Sequence, residues 1–231
     1  MSRTTLRSFL FAAIAAAMIL AAPASADTIT YTATPIVYTL TDWELPSSVQ
    51  TISFQQFNSS LGTLQSVQLQ FSGDIETTLT VTNNGISSSS GNVKTESVLT
   101  VQDVGLNLNA PELDMVSPPF SYTLAIGDSL TSLLLTSKTY KSDDTYTSSG
   151  VLTEFTGVGT FGLPATTFTQ TLLANNGGNT FSSQVTDAEL SGKVTYTYTP
   201  GESTPEPASM GLIGLGLAGL AFWQRRRTRA N

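Results

Sequence analysis

The feature that most constrains this chain is a strict alternation of apolar and polar residues along its middle part. In Asp74–Thr82, written DIETTLTVT, the apolar side chains share one face with Thr77, and the acidic residues occupy the other. Successive side chains of a β-strand point to opposite faces of its sheet, so a period of two predicts a strand with one buried face. The same alternation recurs in segments 28–32, 64–71, 97–101, 120–126, 168–172 and 193–199.

Turn residues separate these segments. Asn83-Asn84-Gly85, Asn175–Gly178 and Gly73 predict chain reversals, and the serine-rich Ile86–Asn92 predicts a loop. No segment of the body has a helical period. Short strands with one apolar face fit two packed antiparallel sheets better than a parallel α/β arrangement. We therefore predict an all-β fold, an antiparallel β-sandwich with a jelly roll as one version of it.

The 231-residue chain contains no histidine and no cysteine. This composition excludes a Ser-His-Asp triad, an imidazole base, thiolate chemistry and disulfide bonds. Catalysis would have to use carboxylates, hydroxyls or lysine. A glycan hydrolase needs two carboxylates across a cleft, and the sequence singles out no such pair. We predict that the protein is not an enzyme, with a carboxylate-based glycan hydrolase as the least favoured alternative.

Charge is distributed unevenly along the chain. All six arginines lie near the termini, whereas Asp27–Thr204 holds four lysines and 16 of the 17 acidic residues, a net charge of −12. Such a charge argues against nucleic acid as a partner. It favours a surface that faces water, cations or neutral polymers.

The N-terminal segment 1–26 has the pattern of a secretory signal peptide. Two arginines precede an apolar run, Phe9–Ala22, which is followed by the small residues Ala24-Ser25-Ala26. The run is shorter than the roughly 20 residues of a membrane span. We predict that signal peptidase cleaves after Ala26, so that the mature chain begins at Asp27.

A second apolar segment lies near the C-terminus. A linker at 200–204 leads to Pro205-Glu206-Pro207 and to the uncharged Ala208–Trp223. At 1.5 Å per residue a helix over 208–223 is ~24 Å long, a short transmembrane helix for a ~30 Å hydrocarbon layer. The positive-inside rule keeps the following basic residues cytoplasmic, so the β domain at 27–199 lies across the membrane. The basic cluster consists of Arg225, Arg226, Arg227 and Arg229.

This order of Pro-Glu-Pro, glycine-rich apolar helix and arginine cluster over 205–231 resembles the PEP-CTERM sorting signal of Gram-negative bacteria. The resemblance implies a partner, a membrane protease of the exosortase class, that cleaves near Pro205-Glu206-Pro207 and releases the protein to the cell surface. It also implies an association with exopolysaccharide and biofilm matrix. The same tail is similar to the C-terminal domain described for ice-binding proteins. A plain tail-anchor helix is the alternative, since hydropathy alone does not separate the two.

The segment around Phe57, Leu61 and Gly62-Thr63-Leu64 resembles the signature of choice-of-anchor E domains. Gly157–Thr160 and Val194–Thr199 are similar to that family as well. The resemblance implies a bacterial surface domain that is attached through one of several sorting signals. From their chemistry we expect Phe57 and Leu61 to fill the core, and Gly62 to form a tight turn.

Acidic residues recur two positions apart, which on a strand puts both carboxylates on one face. Such pairs suit Ca²⁺, which takes several oxygen ligands, and extracellular Ca²⁺ sites are often weak. Solvation of the surface is the alternative that we favour, and no other cofactor is expected. The pairs are Asp42/Glu44, Asp74/Glu76, Glu112/Asp114 and Asp187/Glu189, and the calcium candidates are Asp143, Asp144, Asp74 and Glu76.

Aromatic residues offer a second kind of binding surface. Trp43 and the seven tyrosines of the body can stack on sugars or fill the core. Thr-x-Thr runs resemble an ice-binding ladder, but such a ladder needs an internal repeat, and we find none. The sequence thus predicts an exported surface protein, a structural or adhesive component of an exopolysaccharide matrix. The alternative is a carbohydrate- or calcium-binding, lectin-like module.

Overall fold

The alternating segments form β-strands in the computed structural model, which describes residues 25–43, 48–102, 108, 112–201, 214–220, 223 and 225, with backbone only at 142–144. The described part of the β domain is Asp27–Ser59 and Leu64–Tyr198. Its strands are β1 (Asp27–Thr32), β2 (Ile36–Leu40), β3 (Gln50–Gln55), β4 (Gly62–Asn83), β5 (Ser89–Val101), β6 (Glu112–Val116), β7 (Phe120–Leu124), β8 (Ser129–Thr131), β9 (Leu135–Tyr146), β10 (Thr160–Asn176) and β11 (Thr180–Pro200).

The strands form two sheets, and every described register within them is antiparallel. The six-stranded sheet has the order β1-β11-β4-β8, with β2 also paired to β11 and β9 also paired to β4. The five-stranded sheet has the order β3-β10-β5-β6, with β7 also paired to β5. This confirms the prediction of an all-β, antiparallel protein with two sheets. The jelly-roll version stays a prediction.

Inward-facing side chains of both sheets share one hydrophobic core. Phe54 of β3 meets Phe71 of β4 edge to face, with ring centroids 5.8 Å apart. Phe57, which is fully buried, packs on Tyr196 and Tyr198 of β11 at 5.7 and 5.1 Å. The two sheets therefore face each other, as in a sandwich, and the expectation that Phe57 fills the core is confirmed.

A buried polar layer divides this interior into two apolar clusters. The larger cluster includes Phe54 and Phe71, and the smaller one contains Leu79, Val81 and Val93. Between them, four residues of three strands are joined by side-chain hydrogen bonds. We call Thr77, Thr95, Thr186 and Gln184 the polar layer.

The donors in the polar layer can be assigned by elimination. Thr95 Oγ1 donates to Gln184 Oε1 at 2.8 Å, because a carbonyl oxygen only accepts. A hydroxyl has one hydrogen, so the 3.0 Å bond between Thr77 and Thr95 has Thr77 as its donor. Thr186 must then donate to Thr77 across 2.7 Å. The hydrogen bonds all run in one direction, so they polarise one another favourably.

Four local predictions need correction. Gly73 lies inside β4 and not in a turn. The facing sheet approaches closely there, since a Cβ on Gly73 would lie 3.0 Å from Met115 Sδ. The segment 86–92 is a loop only as far as residue 88, since β5 begins at Ser89. A helix that the pattern missed, α1 (Ser149–Glu154), has only six residues, too few to show a period. Leu61 is 38% exposed and does not fill the core.

The remaining described residues form a second unit that includes Ser60–Thr63 and residues from Thr199 onward. Gly62 has a φ of +148°, and a Cβ there would lie 2.1 Å from the backbone oxygen of Thr199. Only glycine fits this close backbone approach, which agrees with a turn before the strand. Residues 214–220, 223 and 225 are helical. Within the described residues, no helix has the length and apolar character of a membrane span.

Candidate functional site

Most of the predicted sorting residues lie outside the described part of the chain. This holds for Ala24, for Pro205, Glu206 and Pro207, and for Arg226, Arg227 and Arg229. Ala26 is exposed immediately before β1, and Arg225 is exposed in a helical stretch. The signal peptide and the full span at 208–223 therefore stay predictions.

Two of the acidic pairs meet on the outer face of the six-stranded sheet. Asp74 and Glu76 project outward from β4, and Glu189 projects outward from the neighbouring β11. Tyr38 of β2 lies among them, and it is 37% exposed. Partial burial, and then the negative charges of Asp74, Glu76 and Glu189, raise the pKa of Tyr38 to about 12. This face is therefore strongly electronegative around one tyrosine.

The calcium candidates do not converge in the described structure. Asp74 Oδ2 lies 3.5 Å from Lys138 Nζ, opposite it on β9, so this carboxylate already has a cationic partner. Asp143 and Asp144 lie in β9, and their side chains are outside the described set. Among the described residues, no three acidic side chains are close enough to hold a metal ion. The calcium site stays a prediction.

The aromatic residues that could stack on sugars differ in how far they are buried. Trp43 is fully buried, and its Nε1 has no hydrogen-bond partner among the described residues. Tyr196 is also buried; burial raises the pKa of its phenol, which donates to the backbone oxygen of Gln55 at 2.7 Å. Tyr122 is buried as well, whereas Tyr140 is 61% exposed on β9. Of the aromatic candidates, Tyr140 offers the most accessible ring.

Tyr140 borders a depression of about 150 Å³ in the outer face of the six-stranded sheet. The depression exists because short side chains lie between long ones: Ser72 is paired with Tyr140, and Ser191 lies two positions from Lys193. The Ser191 hydroxyl donates to the Ser72 backbone oxygen at 3.4 Å and joins β11 to β4 here. The outward-facing lining residues are Thr32, Gln70, Ser72, Tyr140, Ser191 and Lys193. We call this group the outer-face depression.

Sequence reasoning did not find the outer-face depression as a site. Its residues come from β1, β4, β9 and β11, and only the strand register brings them together. Lys193 gave one signal, since it precedes the run of threonines on the same face of β11, at the position paired with Thr32. The threonine ladder itself is short: Thr28 pairs with Thr197, and Thr30 Oγ1 lies 2.9 Å from Thr195 Oγ1.

Comparison with known families identifies the tail. The profile described as the PEP-CTERM protein-sorting motif matches residues 203–227. The chain thus carries a sorting motif that implies export and processing by an exosortase-type membrane protein. The choice-of-anchor E and ice-binding resemblances are not confirmed by any match. No curated protein matches the chain.

Two solved structures are similar to the chain at low identity. One is "Structure of infectious bursal disease virus Gx strain", with 11% identity over 84% of this chain and 48% of that chain, and a TM-score of 0.12. The other, of the Gt strain, has 12% identity over 83% and 47%, with a TM-score of 0.13. The chain spans about half the length of these viral chains. Likenesses at such TM-scores carry no argument about function.

Proposed function

We propose that this protein is a non-enzymatic surface protein that serves as a structural or adhesive component of an exopolysaccharide matrix. The observation that carries the proposal is the sorting motif at 203–227, which directly follows an acidic β domain. The motif accounts for export and release, and the β domain is what remains outside after processing. The resemblance to PEP-CTERM proteins implies an association with exopolysaccharide and biofilm matrix.

The proposed route follows from the two ends of the chain. Signal peptidase removes 1–26, the helix at 208–223 holds the protein in the inner membrane, and an exosortase-type protease cuts near Pro205-Glu206-Pro207. The product, Asp27 to near Pro205, reaches the cell surface or the medium. We propose that the β domain belongs to the choice-of-anchor E family of surface domains.

The β domain supports a role in cohesion better than one in catalysis. Its interior is filled by core side chains and by the polar layer, and the acidic pair Asp74 and Glu76 lies on an outer face, not across a cleft. A glycan hydrolase of the two-carboxylate type needs the cleft. The net charge of −12 keeps the protein soluble and directs it toward neutral polymers.

The test is the intact mass of the protein in three fractions: inner membrane, polysaccharide matrix and medium. We expect a species from Asp27 to near Pro205, concentrated in the matrix and released when the polysaccharide is digested. A species that keeps 208–231 in every fraction would overturn the sorting proposal. Mature protein found only in the medium, with none in the matrix, would overturn the matrix role alone.

A lectin-like module is the second candidate, and the outer-face depression favours its carbohydrate version. The calcium-binding alternative is tested separately, by its effect on thermal stability. If Asp143 and Asp144 bind Ca²⁺, millimolar Ca²⁺ should raise the melting temperature of the dialysed protein by ligand linkage. The variant Asp143→Asn/Asp144→Asn should abolish that rise, and an unchanged melting temperature in the unaltered protein would contradict the calcium version.

A further inference from the structure

We propose that the outer-face depression binds one uncharged pyranose ring of a neutral polysaccharide. This inference rests on the proposed matrix role, for which it supplies a point of contact with the polymer. It also defines a binding site on β1, β4, β9 and β11.

The size of the depression suits a single six-membered ring. Its volume is about 150 Å³, and an apolar protein cavity of that size is known to hold a benzene ring. It is open on one side, toward solvent, and it lies on the outer face of a sheet, so a longer chain can enter and leave along the surface. The site can therefore bind one sugar ring of a polymer while the rest of the polymer stays in solvent.

The lining has the composition that sugars require. Tyr140, 61% exposed, presents a ring against which the C–H face of a pyranose can pack. Around it, Ser72 and Thr32 carry hydroxyls that both donate and accept, and the Gln70 amide does the same. The Ser191 hydroxyl donates to the Ser72 backbone oxygen and can accept from a sugar. A sugar hydroxyl also donates and accepts, so these groups can be paired on both sides. Such a mixed set fits a polyol better than an ion.

Charge decides between neutral and acidic sugars. Among the described residues of the β domain, the one ion pair joins Lys138 to Asp74, so Lys193 at the rim is available to donate to a sugar hydroxyl. No described lining residue has a carboxylate. However, Glu189 lies two positions from Ser191 on β11, and the segment Asp27–Thr204 as a whole carries −12. This field repels a polyanion, so the favoured occupant is uncharged.

The test is a titration of the full chain in detergent micelles, followed by saturation-transfer NMR. The probes are neutral gluco-, manno- and galacto-oligosaccharides and an acidic oligogalacturonate, each up to about 10 mM, above the millimolar Kd expected of a one-ring site. We expect at least one neutral probe to bind, and to bind more tightly than oligogalacturonate at low salt. Absence of binding by all the neutral probes, or tighter binding of the acidic one, would overturn the proposal.

Substitutions test whether the sugar binds at the outer-face depression. Tyr140→Ala should lower the affinity for the neutral probe roughly three- to tenfold, because the ring contact is lost. Lys193→Gln should lower it by a smaller factor. The matched controls are Tyr38→Ala, an exposed tyrosine on the same face, and Lys94→Gln on β5, a lysine of the other sheet. Each variant is first required to keep the melting temperature of the unaltered protein.

Two outcomes of the variants are decisive. Binding that falls with Tyr140→Ala and not with Tyr38→Ala supports the site, whereas equal binding by Tyr140→Ala overturns it. The proposed function fails separately, in the fractionation described above. A protein that reaches the matrix and binds no neutral sugar would overturn the depression as a site while leaving the matrix role in place.

Discussion

At the scale of single residues, Thr77 occupies the centre of the polar layer, where it accepts from Thr186 and donates to Thr95. Thr77→Val removes this hydroxyl and leaves a buried donor on Thr186 without a partner. We expect a loss of about 1–3 kcal/mol in the free energy of unfolding, measured by denaturant titration. In Thr77→Val/Thr186→Val that stranded donor is gone, so the loss should be smaller than the sum of the two single losses.

A matched control exists on the surface. Thr80 Oγ1 lies 3.0 Å from Thr131 Oγ1 on the exposed face of the same strand. Thr80→Val should change stability by no more than about 0.5 kcal/mol, since water replaces the lost partner. If the two buried substitutions are additive, the directed chain of hydrogen bonds is not a coupled unit.

Two glycines of β4 differ in what surrounds them. Gly62→Ala introduces a Cβ that would lie 2.1 Å from a backbone oxygen, at a φ of +148°. We expect it to destabilise the protein by about 1–3 kcal/mol. Gly73→Ala meets Met115 Sδ at 3.0 Å, the end of a flexible side chain, so its cost should stay below about 1 kcal/mol. Denaturation midpoints in the reverse order would contradict this comparison.

At the scale of elements, β2, β4 and β11 together set the titration of Tyr38. The folded state keeps the phenol protonated up to a pKa of about 12, whereas the unfolded chain loses that proton near pH ~10. The stability from this group is therefore present below pH ~10 and is lost as the pH rises through the folded pKa. Tyrosinate absorbance should show one fewer late-titrating tyrosine in Tyr38→Phe than in the unaltered protein, in which the buried Tyr196 also titrates late.

The causes of that shift can be separated. Burial is the first cause, and the charge of Asp74 is the second. Asp74→Asn should therefore lower the pKa of Tyr38 only part of the way to the usual value for tyrosine. The control Asp128→Asn changes the charge by the same amount in the turn after β7, and Asp128 does not contribute to this shift. A pKa that falls equally in both variants would mean that net charge, and not the local carboxylate, acts on Tyr38.

The sequence predicts a β-strand where its pattern depends only on residues that are neighbours along the chain. The alternation in Asp74–Thr82 assigned each side chain to its face, because a period of two depends only on neighbours along the chain. Gly73 was misassigned because its reason, the close approach of Met115, lies in the other sheet. The outer-face depression was missed for the same kind of reason: Ser72 and Tyr140 become neighbours only through pairing between β4 and β9.

At the scale of the whole molecule, the sorting motif at 203–227 implies that the β domain is exported. The sorting motif was predictable because its three parts are consecutive in sequence and need no fold to be recognised. The proposed sugar site was not predictable, since only the pairing of four strands brings its lining residues together. The sorting motif consists of consecutive residues, whereas the outer-face depression depends on strand pairing. Each can therefore be altered without the other.

Processing at the sorting motif can be tested at its central residue. Glu206→Ala changes the centre of the Pro-Glu-Pro motif and should prevent cleavage, so that uncut protein retaining 208–231 accumulates in the inner membrane. Glu202→Ala removes the same charge one residue before the matched segment 203–227, and its product should be processed normally. Intact mass in membrane and medium fractions distinguishes the two. Release of the Glu206→Ala protein at the unaltered mature mass would mean that the motif does not direct processing, because both variants keep the apolar segment and the arginine cluster.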